Sequence, residues 1–131
     1  MGAGFLLGLL VLALVLRLGV LALHQPGDED TYTSRNLQGD AVEYHRIALN
    51  LSEGHGFSRD AAPPYSPDAL RTPLYPGFVA GIYRLAGTGF LFPALAQIAL
   101  ALITILLLTR WCARELGSTA AVAAGLLFAL D

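Results

Sequence analysis

Asp40, Tyr44, Arg71 and Tyr75 stand in the most specific short patterns of this chain, and an acid and an arginine among them are residue types that can do chemistry. Asp40 stands four positions before Tyr44, and Arg71 opens the run Arg-Thr-Pro-Leu-Tyr-Pro, which contains Tyr75 and closes at Pro76. A general base works within about 2.6 to 3.2 Å of the proton it removes, and cations stabilise a charged oxygen such as that of a phosphate. The Asp40 carboxylate suits the first task. The Arg71 guanidinium, which grips phosphate bidentately, suits the second. Tyr44, one helical turn past Asp40, is placed to orient the acid or to line an acceptor site.

Each residue also has a structural role open to it. Asp40 with Glu43 three positions later reads as an N-cap and capping-box partner, worth about 1 kcal/mol to a helix. Tyr44 falls on an apolar stripe and suits packing. Arg71 is equally suited to an ion pair with a loop acid such as Asp68. Pro73, Tyr75 and Pro76 suit the opening of a helix with an aromatic at a membrane interface. His45 and His55 straddle the end of a predicted helix, so no metal is expected between them, and with one cysteine and three separated histidines no built-in zinc site is expected either. Cys112 reads as a small buried side chain. Asn50-Leu-Ser52 matches a glycosylation acceptor pattern but lies inside the predicted helix and reads as chance.

The elements that must position these residues belong to a membrane protein. Apolar residues make up 55% of the 131 positions and charged residues only 14%, against about 25% charged in an ordinary soluble domain. Residues 1–23 supply a first membrane helix: about 22 apolar positions span roughly 33 Å against a hydrocarbon core of about 30 Å. Arg17 interrupts this run and is expected to snorkel, to face a polar bundle interior or to meet an anionic lipid. A cleaved signal peptide is disfavoured, because no basic segment precedes the run and no small-x-small site follows it.

A polar loop at 24–73 comes next. It holds eight of the ten acids and four of the eight arginines, a formal charge of minus four, which disfavours nucleic acid as a partner. Residues 24–38 read as an exit loop. Over 40–53, Tyr44, Ile47, Ala48 and Leu51 recur at helical spacing while Asp40, Glu43, Arg46 and Asn50 take the other side. This predicts an amphipathic helix ended by Gly54 and Gly56, lying along the membrane interface or on transmembrane helices. Residues 56–73, with four prolines and no period, must be held by other parts of the molecule. Within 74–131, residues 74–92 form a short or re-entrant segment, 93–109 a span with Pro93 in its first turn, and 118–131 a span that reads as truncated. Trp111 marks the interface. If 74–92 crosses, Arg110 and Arg114 emerge on the side of the acidic loop, against the positive-inside tendency; if it does not cross, they emerge on the opposite side.

The order of these motifs resembles a known family. One span, then Asp40 and Tyr44, a helix ending in Gly54-His-Gly-Phe57, and Arg71-Thr-Pro-Leu-Tyr-Pro76 opening an apolar helix are similar to the N-terminal part of protein-mannosyltransferase-like membrane glycosyltransferases. These are the glycosyltransferase family 39 type, related to the bacterial aminoarabinose transferase. The resemblance covers essentially all of this chain and only the first part of a typical family member. It implies an all-α integral membrane fold, the N-terminal module of a C-type glycosyltransferase, with three to four transmembrane helices and an extracytoplasmic loop carrying the amphipathic helix. It also implies a polyprenyl-phosphate-linked sugar as donor substrate, a protein or lipid hydroxyl as acceptor and Asp40 as the catalytic acid. Tyr44, Arg71 and Tyr75 are implied to contact substrate, with no resident cofactor. Family members often carry Asp-Glu where this chain has Asp40-Ala41, so the task of the second acid has no owner at that position.

The expectation is therefore an inverting, lipid-linked-sugar-dependent glycosyltransferase module, incomplete and inactive alone, in the inner (plasma) membrane of a bacterium. Arginine without lysine, beside abundant Ala, Leu and Gly, suggests the GC-rich coding behind that assignment. The alternative is a small non-catalytic membrane protein whose loop helix packs on a partner or lipid. Asp40→Asn discriminates the two, because Asn caps a helix about as well as Asp.

Overall fold

The computed structural model describes residues 2–23 and 39–131; the predicted exit loop at 24–38 falls outside the described residues. Among those described the chain is all-helical, with α1 Ala3–Leu23, α2 Asp40–Glu53, α3 Leu74–Ala86, α4 Leu91–Glu115 and α5 Ser118–Leu130. It divides into two compact units, one formed by Met1–Gln25 with Ala94–Asp131 and the other by Pro26–Pro93.

In the first unit, α1 and α4 are long and apolar enough to cross a membrane, with 21 and 25 residues. Only 11% of the most apolar stretch of each is buried. Leu7, Val11 and Val15 of α1 and Ile103 and Leu107 of α4 all stand exposed, an apolar surface of the kind that meets a membrane or a partner. Leu9, Ala13, Ile105 and Ala129 form the buried centre. α1 and α5 approach closely at Gly125, where an added Cβ would stand 2.5 Å from Leu9 Cδ2 and 2.9 Å from Thr109 Oγ1; small residues permit such contacts between apolar helices. Arg17 is half-buried and paired. Its guanidinium donates to the Phe128 carbonyl at 2.9 Å and the Ala129 carbonyl at 3.2 Å, a favourable place for a cation at a helix C-terminus.

The second unit is built on α2 and α3. α2 occupies the range its periodicity marks, with Ile47 and Ala48 fully buried; burial of an Ile side chain is worth about 2 kcal/mol. Its apolar face packs on α3, where Ala48, Val79, Ala80 and Tyr83 form one cluster with Leu49, Leu51 and Phe78 around it. The expectation that this face lies along the membrane interface is corrected accordingly: a neighbouring amphipathic helix covers it. Gly54, at φ 84°, closes α2. Its N–H donates to the Leu51 carbonyl at 3.3 Å and the His55 N–H to the Asn50 carbonyl at 2.8 Å, the two bonds of a Schellman cap. Arg84 of α3 adds bonds to the Leu51 and Ser52 carbonyls at 2.8 and 3.1 Å. One guanidinium thus caps α2 and ties the two helices together.

Two shorter helices complete the described residues. α3 has 13 residues, about 20 Å of helix, too short to cross a bilayer. It does not extend to residue 92, because Gly87 at φ 88° leaves the helix and α4 starts afresh at Leu91. α5 also has 13 residues, and two described helices reach span length.

Candidate functional site

The four residues singled out by type and spacing come together in the second unit. Asp40, Glu43 and Tyr44 occupy the first turns of α2, Arg71 ends the proline-rich segment, and Tyr75 lies in the first turn of α3. Arg71 is the hub. Its Nη2 donates to Asp40 Oδ1 at 2.7 Å, its Nε donates to Glu43 Oε2 at 2.6 Å, and its Nη2 stands 2.5 Å from the same Glu43 oxygen. The guanidinium carbon lies 5.6 Å above the centre of the Tyr44 ring, within cation–π range. Tyr44 in turn meets Tyr75 edge to face, centroids 5.4 Å apart. Tyr44 thus packs, as its place on the apolar stripe suggested, and also touches the charged centre.

The capping-box expectation is overturned. Gly39, at φ 57°, is the cap residue, no side chain caps α2, and Asp40 is the first helical residue. Asp40 therefore stands past the N-cap position, and its carboxylate is not bonded to the N–H groups of the turn. Both acids point instead at Arg71, where a full counter-charge offers more than a cap.

Arg71 and Asp68 are also related differently from expectation. The Arg71 side chain goes to Asp40 and Glu43, while Asp68 Oδ1 accepts the backbone N–H groups of Leu70 at 2.7 Å and Arg71 at 3.1 Å. Asp68 Oδ2 is ion-paired with Arg59 Nε, and Arg59 Nη1 reaches Glu43 Oε2 at 3.2 Å. The centre is therefore an alternating array in which two arginines are threaded between three carboxylates, and Glu43 bridges both arginines. The Asp68 side chain is 1% exposed and that of Asp40 65%; one is structural in placement, the other open to a ligand.

Electrostatics follow from these contacts. Burial alone would raise the Asp68 carboxyl, but the Leu70 and Arg71 N–H groups and the Arg59 guanidinium hold it below its ordinary value. Glu43 and, against the opposing effect of burial, Asp40 hold Arg71 above its ordinary value. Asp40 Oδ1 is engaged by Arg71, whereas Oδ2 has no hydrogen-bond partner among the described residues, the arrangement a base needs if one oxygen is to be fixed and the other is to receive a proton.

No protein-family model, curated protein or solved structure matches the chain.

The proline-rich segment reaches this centre because Asn50 clamps it. The Asn50 side chain is buried and its Nδ2 donates to the carbonyls of Ser58 at 2.7 Å and Asp60 at 3.0 Å. Asp60 then accepts the Ser66 N–H at 2.6 Å, which holds the Asp60 carboxyl below its ordinary value. An amide so occupied does not serve as a glycan acceptor, which agrees with reading Asn50-Leu-Ser52 as chance.

The two described histidines stand apart from the array. His45 Nδ1 is hydrogen-bonded to the Tyr83 hydroxyl at 2.7 Å, and burial, then Arg46, holds its pKa below 6.5. His55 stacks on Tyr65 with centroids 4.3 Å apart. Among the described residues no three of His, Cys, Asp and Glu stand together as metal ligands.

Three members of the centre were not among the residues singled out for chemistry. Glu43 lies one turn from Asp40, and the i, i+3 neighbourhood of a helix face was available to mark it as a second acid beside the first. Arg59 and Asp68 lie in a segment without period, and no local signal marks them.

Proposed function

We propose that the chain is the N-terminal module of an inverting membrane glycosyltransferase that moves a sugar from a polyprenyl-phosphate donor to a protein or lipid hydroxyl. The observation that supports this reading is the meeting of Asp40, Tyr44, Arg71 and Tyr75 at one centre. In the proposed step, the acceptor hydroxyl gives its proton to Asp40 and its oxygen attacks the anomeric carbon. The bond from that carbon to the phosphate oxygen breaks, and the departing lipid phosphate takes the electron pair. Arg71 balances the charge growing on that phosphate, and the Tyr44–Tyr75 shelf holds the sugar or acceptor. Glu43, sharing Arg71 with Asp40, is a candidate for the second acid that position 41 lacks.

The membrane placement belongs to the same proposal. With α1 and α4 crossing and α3 not crossing, α2 and α3 belong to one face of the bilayer, and Arg110 and Arg114 emerge on the face of the N-terminus. That order fits a cytoplasmic N-terminus and an extracytoplasmic site in a bacterial inner membrane.

Asp40→Asn is the test. In the complete protein, assayed with a radiolabelled polyprenyl-phosphate sugar, the variant should lose at least about 100-fold in transfer, the usual share of a general base, at unchanged protein level. Full activity would remove Asp40 from the mechanism. The second reading, a non-catalytic membrane protein, is favoured by one observation: Asp40 and Glu43 also brace α2 against the segment that leads into α3. It predicts that Asp40→Asn changes stability and nothing else.

A further inference from the structure

Arg17, Arg59, Arg71 and Arg84 are each satisfied within the protein, by helix-terminal carbonyls or by carboxylates. Arg46, of intermediate burial on α2, makes no ion pair or side-chain hydrogen bond among the described residues, and Arg110 and Arg114 differ from all of these in standing exposed beside an exposed indole. Both are exposed at the C-terminal end of α4, one turn apart and therefore on one face, and among the described residues neither makes an ion pair or a side-chain hydrogen bond. Trp111 stands between them in sequence with 56% of its surface exposed. Before them, residues 91–109 contain no charge and extend about 28 Å as a helix, close to the roughly 30 Å of a bilayer core. Two guanidiniums and an indole thus emerge where headgroup phosphates begin, and Glu115, the neighbouring acid, engages neither arginine.

We propose that Arg110, Trp111 and Arg114 form a contact site for anionic phospholipid headgroups at the end of α4. The phosphate group matches the fork of each guanidinium. The indole, with an apolar body and one polar N–H, fits the depth at which that phosphate lies. The proposal rests on the reading that α4 crosses the bilayer, and it is independent of what chemistry the second unit performs.

Trp111 is the only tryptophan in the chain, so its fluorescence reports on this site alone. The whole chain is placed in phosphatidylcholine bilayers containing equal mole fractions of either brominated phosphatidylglycerol or brominated phosphatidylcholine. The anionic quencher should gather beside Trp111 with a preference of roughly fivefold for each arginine near the surface. That preference should fall in about 0.5 M salt, where charges are screened within a few ångström. Arg110→Gln with Arg114→Gln should bring the preference close to unity, and the Lys pair at the same positions should retain most of it. Equal quenching by both lipids in the unsubstituted chain, or a preference that survives the double Gln change, overturns the proposal. Quenching by neither lipid overturns the crossing of α4 itself, a different failure with a different readout.

Discussion

Replacing Asn50 tests whether the candidate site is assembled by one buried amide. The two bonds from Nδ2 to the Ser58 and Asp60 carbonyls are each worth about 1 kcal/mol net, and a buried carbonyl left without a donor costs about 1 kcal/mol more. Ser58 is 1% exposed, so water does not readily replace the lost donor there. Asn50→Ala should therefore destabilise the 58–71 segment by about 3 kcal/mol. Because each 1.4 kcal/mol is tenfold, amides released by local opening should exchange about 100-fold faster. The reporters are the Asp68 N–H, bonded to the Phe57 carbonyl at 2.8 Å, and the Ser66 N–H, bonded to Asp60 Oδ2 at 2.6 Å. Hydrogen–deuterium exchange of peptides covering residues 57–71 measures them, with α1 as an internal reference. Asn50→Asp keeps the shape and removes the amide donor, so it should be at least as disruptive as Ala. If the Asp variant exchanges like the unsubstituted protein while the Ala variant opens, lost volume and not lost hydrogen bonding is responsible, and the clamp argument fails.

Other contacts give shorter tests. His45 has a folded-state pKa below its ordinary 6.5, so the unfolded chain binds the proton more tightly; stability should be complete above about pH 6.5, fall as the pH drops below that value, and lose this dependence in His45→Gln, as followed by thermal unfolding at a series of pH values. Gly54→Ala places a side chain at φ 84° and should destabilise the second unit by about 1 kcal/mol, measurable as a lower unfolding midpoint in denaturant. If the transferase proposal holds, Glu43→Gln in the complete protein should reduce transfer by roughly tenfold without loss of protein, because an amide oxygen accepts the Arg71 and Arg59 bonds more weakly than a carboxylate; unchanged turnover would confine Glu43 to a structural brace.

Much of this protein was legible in its sequence because the signals are local. An apolar run of span length marks α1 and α4 as helices long and apolar enough to cross a membrane, because a helix satisfies its own backbone within one segment. Apolar residues at 44, 47, 48 and 51, followed by Gly54, mark α2 and its end, because periodicity and left-handed geometry act within a few residues. Short motifs, and the family resemblance that they carry, also brought Asp40, Tyr44, Arg71 and Tyr75 to notice. Only the tertiary structure decided what those residues touch. Asp40 sits 31 positions from Arg71 and Glu43 28, and no periodicity relates residues across a proline-rich segment. Whether an acid caps its own helix or pairs with a distant arginine depends on which partner the fold brings within about 3 Å, and that was settled by Asn50 holding the segment and by α3 covering the face of α2. The length of α3 followed from one backbone angle at Gly87, a choice that glycine leaves open until packing makes it.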